Sequence, residues 1–151
     1  MKPLHLLIAF SLALFRRYGA LNLGVTMLTM EEVGRRLAKL ALREEPGLRD
    51  APMQGVIDKL NEMLELNSVL RAEVSGGELV VRAGKDTCRV CPKGVGELEL
   101  PGVLCPYIGL VRGFVEEVKG LRLEVADPKQ PLKRDGGLCE IRYRVSGAAS
   151  P

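Results

Sequence analysis

The spacing of apolar residues changes once along the chain, close to Asn67, and this change constrains the fold most strongly. Before Asn67, apolar residues recur at intervals of three and four, which indicates amphipathic helices. After it, two pairs of segments alternate between apolar and polar residues, which indicates half-buried strands. Helices and strands separated in this way pack as helices against one face of an antiparallel sheet. We therefore predict an α+β fold whose antiparallel sheet consists of two β-hairpins, with the helices on one face.

The pattern predicts three helices in addition to an apolar N-terminal segment. Thr29 and Glu32 form a capping-box signal for the first of them, and Asp50 is expected to cap the second. Gly76 and Gly77 mark the turn of the first hairpin. In chain order, the predicted elements are helices 29–45 and 51–64, strands 69–74 and 78–83, helix 104–119, and strands 121–125 and 138–145.

The N-terminal segment is apolar from Leu4 to Phe15. It is too short to span a bilayer, and Arg16 and Arg17 follow it without a small-residue cleavage site. We therefore interpret it as a buried or dimer-forming helix and not as a secretory signal. The predicted organisation is an apolar helix with its lead-in over residues 1–28, a single ligand-binding-type domain over 29–145, and a flexible tail over 146–151.

Charge and composition narrow the class of protein. The formal net charge of +3, from 22 basic and 19 acidic residues, is too small to indicate a nucleic-acid-binding protein. The chain has three Asn and two Gln among many Glu, Arg and Lys residues, a composition typical of heat-adapted proteins. We predict a cytoplasmic protein from a thermophile that binds no nucleic acid and has no membrane span.

Four cysteines in the second half of the chain form the candidate functional centre. Cys88 and Cys91 are separated by two residues, which brings two thiols within reach of one metal ion, and Cys105 and Cys139 complete four soft ligands if the fold brings them close. Residues 91–94, Cys-Pro-Lys-Gly, are similar to the knuckle turn of metal loops, in which backbone amides donate hydrogen bonds to sulfur. We predict that these four cysteines bind zinc.

Other interpretations of the cysteines stay open. Cys105 and Cys139 are also compatible with small, buried apolar positions, and a disulfide is compatible with Cys88 and Cys91 or with a long-range bridge. The main alternative is a thiol redox protein that uses Cys88 and Cys91. The single histidine, His5, lies in the apolar N-terminal segment, so no Cys–His catalytic pair is expected. Common catalytic and nucleotide-binding motifs are also missing from the sequence, which favours binding over catalysis.

Three stretches resemble the four-vinyl-reductase-type domain, a predicted hydrocarbon-binding domain distantly related to TRAPP vesicle-tethering subunits. Residues 33–38 are similar to its glycine-bearing early helix, residues 104–114 to its Cys-then-Gly-x-x-x-Gly helix, and residues 123–125 with 136–141 to its closing hairpin. The resemblance covers about residues 29–145. The family often has another cysteine early in the closing loop, where this chain has residues 127–130, so either the Cys88–Cys91 pair takes its place or the site differs.

The resemblance implies a dimeric α/β domain that binds a small apolar molecule and regulates a partner. In the matching helix it implies ligand contacts at Tyr107, Gly109, Gly113 and Phe114. Gly109 and Gly113, four residues apart, fit a helix face that another backbone or a flat ligand approaches closely. The leading prediction is thus a homodimeric binding or sensor domain for an apolar ligand, with a cysteine-based zinc site. A zinc-dependent adaptor for nucleic acid or protein ranks last, because aromatic residues for base stacking are scarce.

Overall fold

The computed structural model describes residues 2–148 and consists, over that range, of four α-helices, one short 3-10 helix and five strands. The predicted α+β class, with an antiparallel sheet, is confirmed. Of the predicted tail, residues 149–151 lie outside the described residues, and residues 146–148 form the end of the last strand. The elements are α1 (Pro3–Arg17), α2 (Leu23–Glu44), the 3-10 helix (Pro46–Asp50), α3 (Met53–Leu64), β1 (Leu70–Ser75), β2 (Glu78–Gly84), α4 (Tyr107–Lys119), β3 (Leu121–Val125), β4 (Lys133–Asp135) and β5 (Leu138–Ala148).

Both predicted helix caps are wrong. The first amphipathic helix begins at Leu23, because the side chain of Asn22 already accepts a backbone N–H of the first turn at 2.9 Å, so Thr29 lies inside the helix. Asp50 ends the 3-10 helix instead of capping α3. The residue before α3 is Pro52, which makes no side-chain cap. Proline fits such a helix start because its φ angle is already close to helical and it has no N–H that needs a partner.

The sheet has the strand order β1-β2-β5-β3, and all of its pairs are antiparallel. The predicted first hairpin is confirmed, and it turns at Gly76 and Gly77, which both have positive φ angles. The short strand β4 pairs with the first residues of β5, and β3 pairs with its later residues. This arrangement aligns Ala83 of β2, Cys139 of β5 and Arg134 of β4 in one row across the sheet.

The two faces of the sheet have different chemistry. The outer face carries ion pairs between neighbouring strands, for example Arg82 with Glu73 at 3.1 Å and with Glu140 at 2.9 Å. The inner face carries buried side chains such as Ile141 and Tyr143. Because side chains alternate between faces along a strand, this division follows from the period-two pattern of the sequence. The helices cover the inner face, as predicted.

Helix α4 lies in the centre of the molecule and packs very closely against α2. A Cβ atom on Gly109 or Gly113 would overlap the carbonyl oxygen of Met27 or Glu31, and one on Gly34 would overlap the carbonyl of Leu110. On the sheet side, the Tyr143 hydroxyl donates a 2.7 Å hydrogen bond to the carbonyl of Ile108 in α4. The three glycines therefore allow the backbones of α2 and α4 to touch while the sheet supports α4 from the other side.

Four charged side chains link α2 to α4. Glu31 pairs with Arg35 on α2, and Arg35 lies 3.3 Å from Glu116 on α4. Arg112 lies 3.7 Å from Glu31 and 3.6 Å from Glu116. The other oxygen of Glu116 accepts a 3.0 Å hydrogen bond from the backbone N–H of Leu123, the third residue of β3. This network joins two helices and a strand where their backbones come closest.

Helix α1 rests mainly on loops. Its His5 imidazole makes a 2.9 Å hydrogen bond with the carbonyl of Leu64 at the end of α3, and its Ala9 carbonyl lies directly against Gly96. The opposite side of α1 exposes large apolar side chains, and this exposed apolar face of α1 comprises Leu4, Leu7, Leu14 and Phe15. Over residues 2–148, none of the helices has both the length and the apolar character needed to cross a membrane.

We expect Gly113→Ala to lower the free energy of unfolding by about 3 kcal/mol, because its methyl group would force the α2 and α4 backbones apart. Urea denaturation followed by circular dichroism measures this loss. Gly137→Ala is the matched control, since its Cβ would meet no atom within 4 Å. If the two substitutions change stability equally, the close helix contact is not what makes Gly113 necessary.

Candidate functional site

A cavity of about 270 Å³ lies between the inner face of the sheet, the N-terminus of α4 and the loops around them. All four cysteines line it, so the fold brings together the residues that the sequence analysis selected. Most of its wall is apolar. The lining residues are Ala83, Gly84, Lys85, Asp86, Cys88, Cys91, Pro92, Lys93, Gly94, Leu104, Cys105, Pro106, Tyr107, Leu132, Arg134, Cys139 and Ile141.

The sheet supplies one wall of the cavity. Residues directly opposite one another on paired strands project to the same face, so Ala83, Cys139 and Arg134 point the same way. Ile141 follows Cys139 by two residues on β5 and therefore shares that face. Lys85 stands two residues after Ala83, just beyond the end of β2, where its backbone N–H donates a 2.8 Å hydrogen bond to the Gly137 carbonyl.

Helix α4 supplies the opposite wall through its first residues. Cys105 lies two residues before the helix begins. Burial raises the pKa of the Cys105 thiol to about 12, although the backbone N–H groups of Tyr107 and Ile108 donate hydrogen bonds toward its sulfur and oppose the shift. Burial likewise raises the pKa of Cys139. Without a metal ion these two cysteines are therefore neutral thiols near neutral pH.

The pKa values of Cys88 and Cys91 are shifted in opposite directions. A hydrogen bond from Cys88 lowers the pKa of Cys91 to about 5, with further help from the backbone amides of Gly94 and Lys93. The same hydrogen bond raises the pKa of Cys88, since that thiol must keep its proton to donate it. The Gly94 N–H lies 3.3 Å from the Cys91 sulfur, so the amide-to-sulfur hydrogen bond predicted for residues 91–94 is present.

Tyr107 holds Cys88 in place. The Cys88 thiol lies 3.2 Å from the Tyr107 hydroxyl, which in turn donates a 3.0 Å hydrogen bond to the carbonyl of Leu66. Burial raises the pKa of Tyr107, so the hydroxyl remains a donor. Tyr107 was predicted to contact the ligand, and its link to Cys88 was not predicted, because that link is a contact between residues distant in the chain.

The other predicted ligand-binding residues lie elsewhere. Gly109 and Gly113 face the backbone of α2, and Phe114 is fully buried in the hydrophobic core. Of the four predicted residues, Tyr107 alone is among the lining residues of the cavity. The cationic lining residues, Lys85, Lys93 and Arg134, were not predicted. The strand pattern contained part of this information, since it placed Lys85 next to a strand end.

The four cysteines are free thiols in the described structure, with no disulfide between them. As they stand, no three Cys, His, Asp or Glu side chains within residues 2–148 are grouped closely enough to hold a metal ion. Four thiols are nevertheless the ligand set that suits zinc. The donor chemistry therefore fits zinc, while the present spacing of the sulfur atoms requires them to draw together around the ion.

We expect Cys91 to be the thiol that reacts in mildly acidic solution when the protein is free of metal. Because its folded pKa is lowered to about 5, the reactive thiolate persists down to that pH and is lost below it. Iodoacetamide labelling across a pH series, read by peptide mass spectrometry, measures the midpoint. Cys88→Ala removes the main hydrogen-bond donor and should move the midpoint upward. An unchanged midpoint in this variant would contradict the assignment of the shift to Cys88.

Comparisons with known proteins identify a family that covers most of the chain. The MJ0207 family model matches residues 19–145. The uncharacterized protein MJ1342 of Methanocaldococcus jannaschii is 30% identical over 61 residues, which are 39% of this chain and 54% of that protein, so the chain spans about half of this curated relative. No solved structure matches the chain. The family match covers α2, α3, α4, most of the sheet and all four cysteines, and the chain therefore belongs to the MJ0207 family.

Proposed function

We propose that this protein is a binding or sensor domain for a small apolar molecule, which occupies the cavity lined by the four cysteines. The observation that carries this proposal is the convergence of the loops, the sheet and α4 on one largely apolar cavity of about 270 Å³. Small-molecule sites are typically concave and apolar, with volumes from about 300 Å³ upward and a few polar groups that orient the ligand. The resemblance to the four-vinyl-reductase-type domain supports the same proposal.

The proposal includes zinc held by Cys88, Cys91, Cys105 and Cys139. Its support is the donor chemistry, because the four thiols line one cavity and the Gly94 amide already donates to the Cys91 sulfur. Amide donors of this kind reduce the cost of placing thiolates together around an ion. Bound zinc would join the loop of residues 88–94 to the start of α4 and to β5, and would therefore fix one wall of the ligand cavity.

Zinc binding is tested by elemental analysis of protein purified without added metal, together with thiol counting before and after denaturation. We expect about one zinc per chain, with thiols that react only after a chelator removes the metal. Cys139→Ser should lower the zinc content, whereas Ser146→Ala on the same strand, well away from the cavity lining, should not. Metal-free protein with four reactive thiols would exclude the zinc part of the proposal.

A second candidate, a thiol redox protein, is favoured by the opposite pKa shifts of Cys88 and Cys91, two thiols that line one cavity. The pKa of Cys91 is lowered beside a protonated partner, as in many redox-active pairs. The Cys91 thiolate would attack one sulfur of an oxidised disulfide such as that of glutathione, break its S–S bond and release one glutathione thiolate. Cys88 would then lose its proton and attack the Cys91 sulfur of the mixed disulfide, which forms the Cys88–Cys91 disulfide and releases the second glutathione thiolate, so that two electrons pass from the protein to glutathione. The thiol count of the previous experiment separates the candidates, since metal-free protein with two of its four thiols missing supports the redox function.

We also propose that the protein is a homodimer. The support is the exposed apolar face of α1, on which Leu4 and Leu7 are 62% and 64% exposed and Phe15 is 55% exposed. A helix that is apolar on all sides is normally covered, and exposed apolar patches of this kind mark interaction surfaces. Assignment to the cytoplasm remains part of the proposal and rests on the sequence alone.

Native mass spectrometry tests the ligand and the dimer together. We expect a mass of two chains plus bound small molecules that are released on denaturation. Leu7→Glu should give monomers because it places a charge in the exposed apolar face of α1, and Arg71→Glu, a charge change at an exposed residue of β1, serves as the control. Wild-type chains that are monomeric, or that carry no organic ligand, would refute the corresponding part of the proposal.

A further inference from the structure

We infer that the ligand of the four-cysteine cavity has an anionic head group, held at the cavity mouth by Lys85, Lys93 and Arg134, and an apolar body that enters the cavity. This inference rests on the proposed binding function and specifies the chemical class of the ligand. A small amphiphilic carboxylate is the simplest molecule of that class. The three cations form what we call the cationic rim.

The fold brings the cationic rim together from three separate segments. Arg134 lies on β4, directly opposite Cys139 of β5. Lys85 follows the end of β2, and Lys93 belongs to the loop that carries Cys91. All three line the same cavity, although they lie far apart in the sequence. Their convergence therefore results from the antiparallel order of β2, β5 and β4 and from the loop between β2 and α4.

Acidic partners do not neutralise the cationic rim. Within residues 2–148, Lys85, Lys93 and Arg134 form no ion pair with a carboxylate. Asp86 is the one acidic residue among the described lining residues, and the Cys91 thiolate is a second negative group, so in the metal-free protein three positive charges face two negative ones there. By contrast, Arg82 on the outer face of the sheet contacts two carboxylates. Positive charge left uncompensated at a cleft attracts anions from solution.

Two further features of the cavity support an anionic head group at its mouth. Helix α4, which is 13 residues long, directs its N-terminus at the cavity and adds partial positive charge there. The cavity wall is mostly apolar, although three of its lining residues are cations. Lysine and arginine commonly line an apolar site with their aliphatic stems and keep the charged ends outside. A ligand that matches this arrangement has its charge at one end and hydrocarbon at the other.

The test is isothermal titration calorimetry of the full-length protein with octanoate and with 1-octanol, which share a chain length and differ in charge. We expect octanoate to bind roughly tenfold more tightly, as for a charge-assisted hydrogen bond, and its affinity to fall as salt is raised. Arg134→Gln should weaken octanoate binding roughly tenfold while leaving 1-octanol binding nearly unchanged. Lys133→Gln is the matched control, since it removes the same charge from the neighbouring exposed residue of β4, outside the cavity lining.

The outcomes separate this inference from the proposed function. If octanol and octanoate bind equally and Arg134→Gln has no selective effect, the inference of an anionic ligand is wrong, and the cationic rim serves only to balance the charge of the thiolates. The proposed binding of an apolar molecule in the cavity is then retained. Equal weakening by Arg134→Gln and Lys133→Gln would show a general effect of net charge and would also overturn the inference. Failure of both probes to bind would reject the binding function itself.

Discussion

The close contact between α2 and α4 determines where everything else in the structure lies. Gly34, Gly109 and Gly113 let the two helix backbones touch, and the ion pairs of Glu31 and Glu116 fix their relative position. Because α4 lies between α2 and the sheet, its N-terminus is held against the inner face of the sheet near the start of β5. The cavity forms at that end of α4, where the loop from β2 returns to the helix.

The same contact explains how cysteines that are distant in sequence come to face one cavity. Cys105 is positioned by the start of α4, Cys139 by the register of β5, and the Cys88–Cys91 pair by the loop between β2 and α4. Tyr107 connects the first and last of these, since it begins α4 and its hydroxyl contacts Cys88. An ion or ligand at this place would therefore touch three parts of the fold at once.

Local patterns predicted the elements well and the contacts between them poorly. Four of the five described strands and the first hairpin were predicted to within a few residues because period-two alternation and a glycine turn are encoded locally. The three-residue strand β4 was not predicted, because it is too short to show alternation. The caps at Thr29 and Asp50 were wrong because Asn22 and Pro52 provide competing helix starts. Gly109 and Gly113 were recognised as a face for close approach, and the alternative of another backbone, which the sequence analysis left open, is what the structure has there.

The sequence by itself determined the α+β class, the order of helices and hairpins, and the choice of four cysteines as the candidate centre, because these depend on residue spacing and side-chain chemistry. Tertiary structure alone decided that all four thiols line one largely apolar cavity, that Tyr107 anchors Cys88, and that Lys85, Lys93 and Arg134 line the same cavity. The physical reason is that these neighbours come from separate strands and loops. Their distances depend on strand register and helix packing, which the local spacing of residues does not encode.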